Sequence, residues 1–79
     1  MQSGQRRIAR LRWLCRRGMK ELDVLLESFL SREQSALCDG AWPGLEGLLN
    51  AEDDCLWDWV QGRTEPPQDL RALIGAIRG

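Results

Sequence analysis

The 79-residue sequence has no histidine and no tyrosine, and only one phenylalanine. A small-molecule catalytic site would therefore have few of its usual building blocks. No apolar run approaches the ~18–20 residues that cross a bilayer, and no secretory apolar segment stands at the N-terminus. The expectation is a cytoplasmic protein without membrane insertion. Cys15, Cys38 and Cys55 are an odd number, form no C-x-x-C pair and have no histidine to assist them. That disfavours a disulfide framework and a zinc site, and it predicts reduced, buried thiols. Strand-like alternation is also missing, so a β fold is excluded.

What remains is ordinary for a folded globular chain: 43% hydrophobic and 29% charged residues. The length suits one domain, residues 1–79, near the lower limit for a fold held by a single core. The net charge of −1 conceals a split. Residues 1–20 carry Arg6, Arg7, Arg10, Arg12, Arg16, Arg17 and Lys20 and no acid (+7). Residues 21–79 carry four cations against all twelve acids (−8). Such asymmetry suits either a basic face for an acidic partner or nucleic acid, or a solvated helix with self-complementary charge.

The apolar periodicity predicts an all-α, bundle-like fold of five helices, with residues 1–5 as a flexible N-terminus. Residues 5–17 place Ile8, Leu11, Leu14 and Cys15 on one face, with Arg6, Arg10 and Arg17 opposite. Gly18 stops this helix, and a second follows over 19–31 through Met19, Leu22, Leu25, Leu26 and Phe29. Residues 35–44 read as a connection, with Asp39 as a cap and Pro43 in the first turn of a weak third helix carrying Leu45, Leu48 and Leu49. Gly44 and Gly47 make this the loosest expected part. A fourth helix spans 53–61, with Leu56, Trp59 and Val60 inward. Pro66-Pro67 opens a fifth bearing Leu70, Leu73, Ile74 and Ile77.

The candidate site is the corner around Gly18. Trp13 falls toward the arginine side of its helix, where it is either an interface anchor or a lid on the core edge stacked on Arg10 or Arg17. Arg17 and Glu21 straddle the glycine, which lets another backbone approach closely or simply stops a helix. Glu21 and Asp23 also suit the positive end of the second helix. Glu52-Asp53-Asp54 reads as a helix start rather than a catalytic cleft. No nucleophile–base pair, phosphate loop or metal spacing is present, and the chain is not expected to be an enzyme.

The run Trp13-Leu14-Cys15-Arg16-Arg17-Gly18-Met19-Lys20-Glu21-Leu22-Asp23 resembles the R-G-x-x-E signature of the small succinate dehydrogenase assembly factors. Asp53-Asp54-Cys55-Leu56-Trp57-Asp58-Trp59 is similar to the same family's D-x-x-L-x-x-W helix, and element order agrees over about residues 8–77. The resemblance implies a five-helix domain that binds the flavoprotein subunit of succinate dehydrogenase, or of fumarate reductase, and promotes covalent FAD attachment. It implies a docking patch centred on Arg17, Gly18 and Glu21, with Trp13, Arg16 and Asp23 beside them. FAD would be joined to the client, with no cofactor held stably by the factor. Pro43, Gly44 and Gly47 depart from the family's better helix formers, and a role assigned to a longer C-terminal tail does not transfer. The alternatives are an antitoxin-like regulatory binding protein and a nucleic-acid binder using the basic first helix.

Overall fold

The computed structural model describes residues 2–79. The regular secondary structure of the described residues is all helical, in the order α1 (Gln2–Leu14), α2 (Lys20–Arg32), α3 (Gln34–Cys38), α4 (Leu45–Leu48), α5 (Asp53–Gln61) and α6 (Arg71–Arg78). A single 3-10 turn, Gln68–Leu70, leads into α6. The all-α expectation holds, but with six helices rather than five. Residues 2–5 belong to α1, where a flexible N-terminus was expected, and Met1 lies outside the described residues.

The central element is α2. Its buried positions Leu22, Leu26, Phe29 and Leu30 recur at three- and four-residue steps. They meet Ile8 and Leu11 of α1, Leu37 of α3 and Leu73, Ile74 and Ile77 of α6 in one apolar cluster. Leu45, Leu48 and Leu49 close it from the α4 side, and Leu56 and Val60 from α5.

The connection predicted over 35–44 is half helix. Leu37 reaches the core, and α3 forms around it by continuing from the α2 cap, where the Leu37 amide donates to the Glu33 carbonyl at 2.8 Å. Asp39 therefore terminates α3 instead of starting α4; its amide bonds back to the Ser35 and Ala36 carbonyls. Pro43 lies ahead of α4, which is a single turn.

Trp42 adopts a positive φ of 55° directly before that proline. This left-handed conformation costs an L-residue roughly 1–2 kcal/mol. Three contacts hold it. The indole packs edge-on against Phe29 with ring centroids 5.8 Å apart, its Nε1–H donates to Glu33 Oε1 at 2.9 Å, and its carbonyl accepts from Arg7 at 2.7 Å.

Arg7 is the main polar fastener of this half of the molecule. Its Nε and Nη2 grip both oxygens of Glu46, at 2.7 and 3.2 Å. Nη1 donates to the Leu37 and Ala41 carbonyls, at 2.7 and 2.6 Å. With the Trp42 carbonyl, all five guanidinium donors are used. The hydrogen bond from Arg7 is the main reason the Glu46 carboxyl is held below its ordinary range. Nearby, α1 crosses α3 closely enough that a Cβ on Gly4 would lie 2.9 Å from the Cys38 carbonyl oxygen.

Replacing Arg7 with methionine leaves three carbonyls without their donor. The expected loss is ~2–4 kcal/mol, equivalent to a fall in Tm on the order of 10–30 °C in thermal unfolding followed by circular dichroism. Because the folded state depresses the Glu46 pKa, its stabilisation is present above the ordinary glutamate range and fades as pH falls through it. The Arg7→Met chain loses that part of the acid dependence.

Two glycine substitutions are expected to diverge. Gly47→Ala, with open space around the new methyl, should raise stability by up to ~1 kcal/mol through helix propensity. Gly4→Ala gains the same propensity yet must push α3 away, so its urea midpoint should fall below that of Gly47→Ala and of the parent.

Candidate docking corner

The corner forms because three local demands coincide after Leu14. The Cys15 amide still reaches the Leu11 carbonyl at 2.9 Å, but the Arg16 amide bonds to Trp13 in a tightened last turn at 3.2 Å. Gly18 then turns the chain at φ +85°, a conformation that glycine adopts without side-chain strain. Met19 is extended, and α2 begins at Lys20. Helix α1 thus stops three residues earlier than its apolar spacing predicts, which frees Arg17 to leave the helix and turn inward.

Arg17 is only 11% exposed at its side chain. Nη1 donates to the Leu14 and Leu49 carbonyls, at 3.1 and 2.7 Å. Nη2 donates to the Ala51 carbonyl, and Nε pairs with Asp53 Oδ1. The backbone of the same turn is held from the other side by Asp23, whose carboxylate accepts from the Arg17 amide at 3.0 Å and the Gly18 amide at 3.3 Å.

These contacts correct two expectations. Arg17 was placed opposite the buried face and at the centre of an exposed patch, but it lies under the corner and pairs with Asp53 instead of Glu21. Asp23 was expected as a neighbour within the patch, yet its carboxylate is spent on the turn's own amides. The physical reason is common to both. Amides and carbonyls released where α1 ends and where α4 leads to α5 need partners, and these two side chains supply them.

The remaining candidates face solvent. Trp13 is 74% exposed, so it neither lids nor edges the core. Arg16, Gly18 and Glu21 are exposed, and a Cβ built on Gly18 meets nothing within 4 Å. Glu21 makes no ion pair with another described residue. Trp13 and Arg16 border a shallow hollow of about 350 Å³ whose floor includes Leu14, Leu49 and the Arg17–Asp53 pair. The corner thus offers an aromatic face, a cation, bare backbone and a carboxylate, which suits it to grip another protein.

Sequence reasoning missed Arg7, Asp53 and Trp42 as structural anchors. For Arg7 a signal existed: it stands one turn before Leu11, beside Ile8, on the inward face. For Asp53 and Trp42 no local spacing points to their partners. Trp57 and Trp59 are both half-buried against the core, so Trp59 is less enclosed than predicted.

Of the cysteines, Cys15 alone is buried; Cys38 and Cys55 are exposed, which corrects the expectation of three buried thiols. Burial pushes the Cys15 thiol up to about 12, against a smaller lowering by Arg17. Native protein should therefore react with iodoacetamide at two thiols near pH 8, the third becoming reactive only on unfolding. The raised value also has a stability consequence. Above the unfolded thiol's pKa of 9.0 the unfolded chain loses a proton that the folded chain keeps, so stability falls as pH rises from there toward 12. Cys15→Ala should flatten that decline.

The described residues form an all-helical domain with Trp13, Arg16, Gly18 and Glu21 exposed around one turn. The family model described as "Flavinator of succinate dehydrogenase" matches residues 9–79. The chain is similar to proteins named FAD assembly factor SdhE. With that of Legionella pneumophila (strain Paris) it shares 39% identity over 70 residues, 89% of each chain. With that of Shewanella oneidensis it shares 40% over 73 residues, 91% of this chain and 89% of the relative. With that of Coxiella burnetii it shares 40% over 70 residues, 87% and 85% respectively. No solved structure matches the chain. The chain belongs to the succinate dehydrogenase flavinator family.

Proposed function

We propose that this chain promotes covalent attachment of FAD to the flavoprotein subunit of succinate dehydrogenase, by docking its Gly18 corner on that subunit. One observation carries the reading beyond family membership. The R-G-x-x-E turn projects Trp13, Arg16 and Glu21 into solvent around a glycine with open space above it. Arg17 and Asp23 shape that surface from beneath.

The chain acts as a binding protein and not as an enzyme. In this reading the covalent bond forms on the client and FAD is not held stably by the factor, a role that a chain without histidine fits. Binding accelerates the step by favouring a client conformation in which flavin and acceptor side chain are aligned. The flavoprotein subunit of fumarate reductase is a second client in this reading, and the cytoplasm is where the encounter takes place. No described helix is long and apolar enough to cross a membrane. A nucleic-acid reading loses support because Arg7 and Arg17, two of the seven N-terminal cations, spend their donors on internal partners.

Co-expression of the flavoprotein subunit with and without this chain tests the proposal through flavin fluorescence retained after denaturing electrophoresis. Glu21→Ala and Trp13→Ala should each unfold within about 1 kcal/mol of the parent, as surface changes do. Each should nevertheless cut covalent flavin tenfold or more when the factor is limiting, in line with the ~2–5 kcal/mol lost on removing one side of a desolvated charged contact for Glu21 and the ~2 kcal/mol or more lost on truncating an aromatic anchor for Trp13. Full flavin attachment without the chain would sink the proposal.

A further inference from the structure

Arg17 and Asp53, one from each of the two stretches that carry the resemblance, lie 36 residues apart in sequence yet meet in space through one ion pair, Arg17 Nε to Asp53 Oδ1. We propose that Asp53 is a positioning residue for the docking corner: it anchors Arg17, and through Arg17 it fixes the Gly18 turn in the pose that presents Trp13, Arg16 and Glu21. The inference rests on the docking reading above.

The geometry carries it in three steps. First, Arg17 turns its guanidinium into the body, where its donors reach Leu14 in α1, Leu49 and Ala51 in the α4–α5 connection, and Asp53 at the start of α5. It therefore joins the end of α1 to a distant segment and leaves little of itself for a partner.

Second, the backbone amide of Arg17 is itself fixed by Asp23 in α2. The residue is held at both ends, the backbone by Asp23 and the guanidinium by the body, so the guanidinium shares in fixing the turn. Third, the carbonyl acceptors surround the guanidinium but carry no net charge. Asp53 is the carboxylate paired with it, and a charged acceptor sets direction more strongly than a neutral one. Without Asp53 the guanidinium keeps its carbonyl partners, so the fold survives, but the side chain gains freedom to swing toward the hollow beside Trp13 and Arg16.

Asp54 supplies a matched control. It sits next to Asp53 in the same first turn of α5, is exposed, and makes no hydrogen bond to Arg17. Asp54→Ala removes the same charge from the same helix end while leaving the Arg17 contact alone. Any effect of Asp53 through helix electrostatics alone appears equally in both variants.

The test combines amide hydrogen exchange on the free protein with the co-expression assay. Asp53→Ala should accelerate exchange of the Arg17 and Gly18 amides at least tenfold while the α2 and α6 core amides change less than twofold. It should also lower covalent flavin at least fivefold. Asp53→Glu should restore most of both, and Asp54→Ala should change neither. Combined with Glu21→Ala, the Asp53→Ala loss should be less than multiplicative, because both act through one surface.

Unchanged exchange at Arg17 and Gly18 in Asp53→Ala overturns the inference. So does a loss equal to that of Asp54→Ala, or a loss that Glu fails to rescue. If Glu21→Ala impairs flavin attachment while Asp53→Ala does not, the inference falls and the docking reading stands. If attachment is independent of the whole chain, both fall.

Discussion

Carbonyl groups stranded at helix ends are the constraint around which this small fold is organised. Six helices in 78 described residues mean many short elements, and each terminus releases backbone groups that the core cannot absorb. Two arginines from the first 20 residues answer that demand at two junctions. Arg7 gathers the Leu37, Ala41 and Trp42 carbonyls where α3 gives way to α4. Arg17 gathers Leu14, Leu49 and Ala51 where α1 ends and α4 leads to α5. Each is completed by one carboxylate, Glu46 or Asp53. Guanidinium suits this work because its planar array of donors serves several acceptors at once, which an ammonium does less well.

This changes the meaning of the charge split. The +7 and −8 halves suggested a basic face meeting an acidic partner, or else self-complementarity. Self-complementarity holds for two of the cations. Arg7 and Arg17 are consumed inside, each against a carboxylate from the acidic half. Arg16 remains exposed, as does Glu21 just across the turn.

The long amphipathic elements were legible in the sequence because their burial repeats locally. Leu22, Leu26 and Phe29, or Leu73, Ile74 and Ile77, need no knowledge of the rest of the chain to be placed inward. The solvent-facing part of the corner was legible too, since Gly18 must turn and Trp13 falls off the apolar stripe. The illegible parts share one property: their reason lies far away in sequence. Helix α3 forms because Leu37 finds the core and Arg7 waits for its carbonyl. Trp42 is held at positive φ by Phe29, Glu33 and Arg7 together. Arg17 was assigned outward because a wheel extended to residue 17 puts it there, but the helix ends at Leu14.

The same geometry explains why five neighbouring residues can serve opposite purposes. Within one unbroken helix, Arg17 and Glu21 would point the same way, four residues apart on one face. Inserting a left-handed residue between them decouples the two directions. Arg17 then turns into the body while Glu21 stands out on the next helix, and Asp23 reaches back to satisfy the amides that the turn exposes. An L-residue at position 18 would carry the backbone penalty of that conformation and add a side chain in the open space above it. The glycine therefore separates a fastening half of the motif from a presenting half, and each half needs the other. A presented carboxylate on a loose turn would have no fixed direction, while a fastened turn with nothing exposed would offer a partner no purchase.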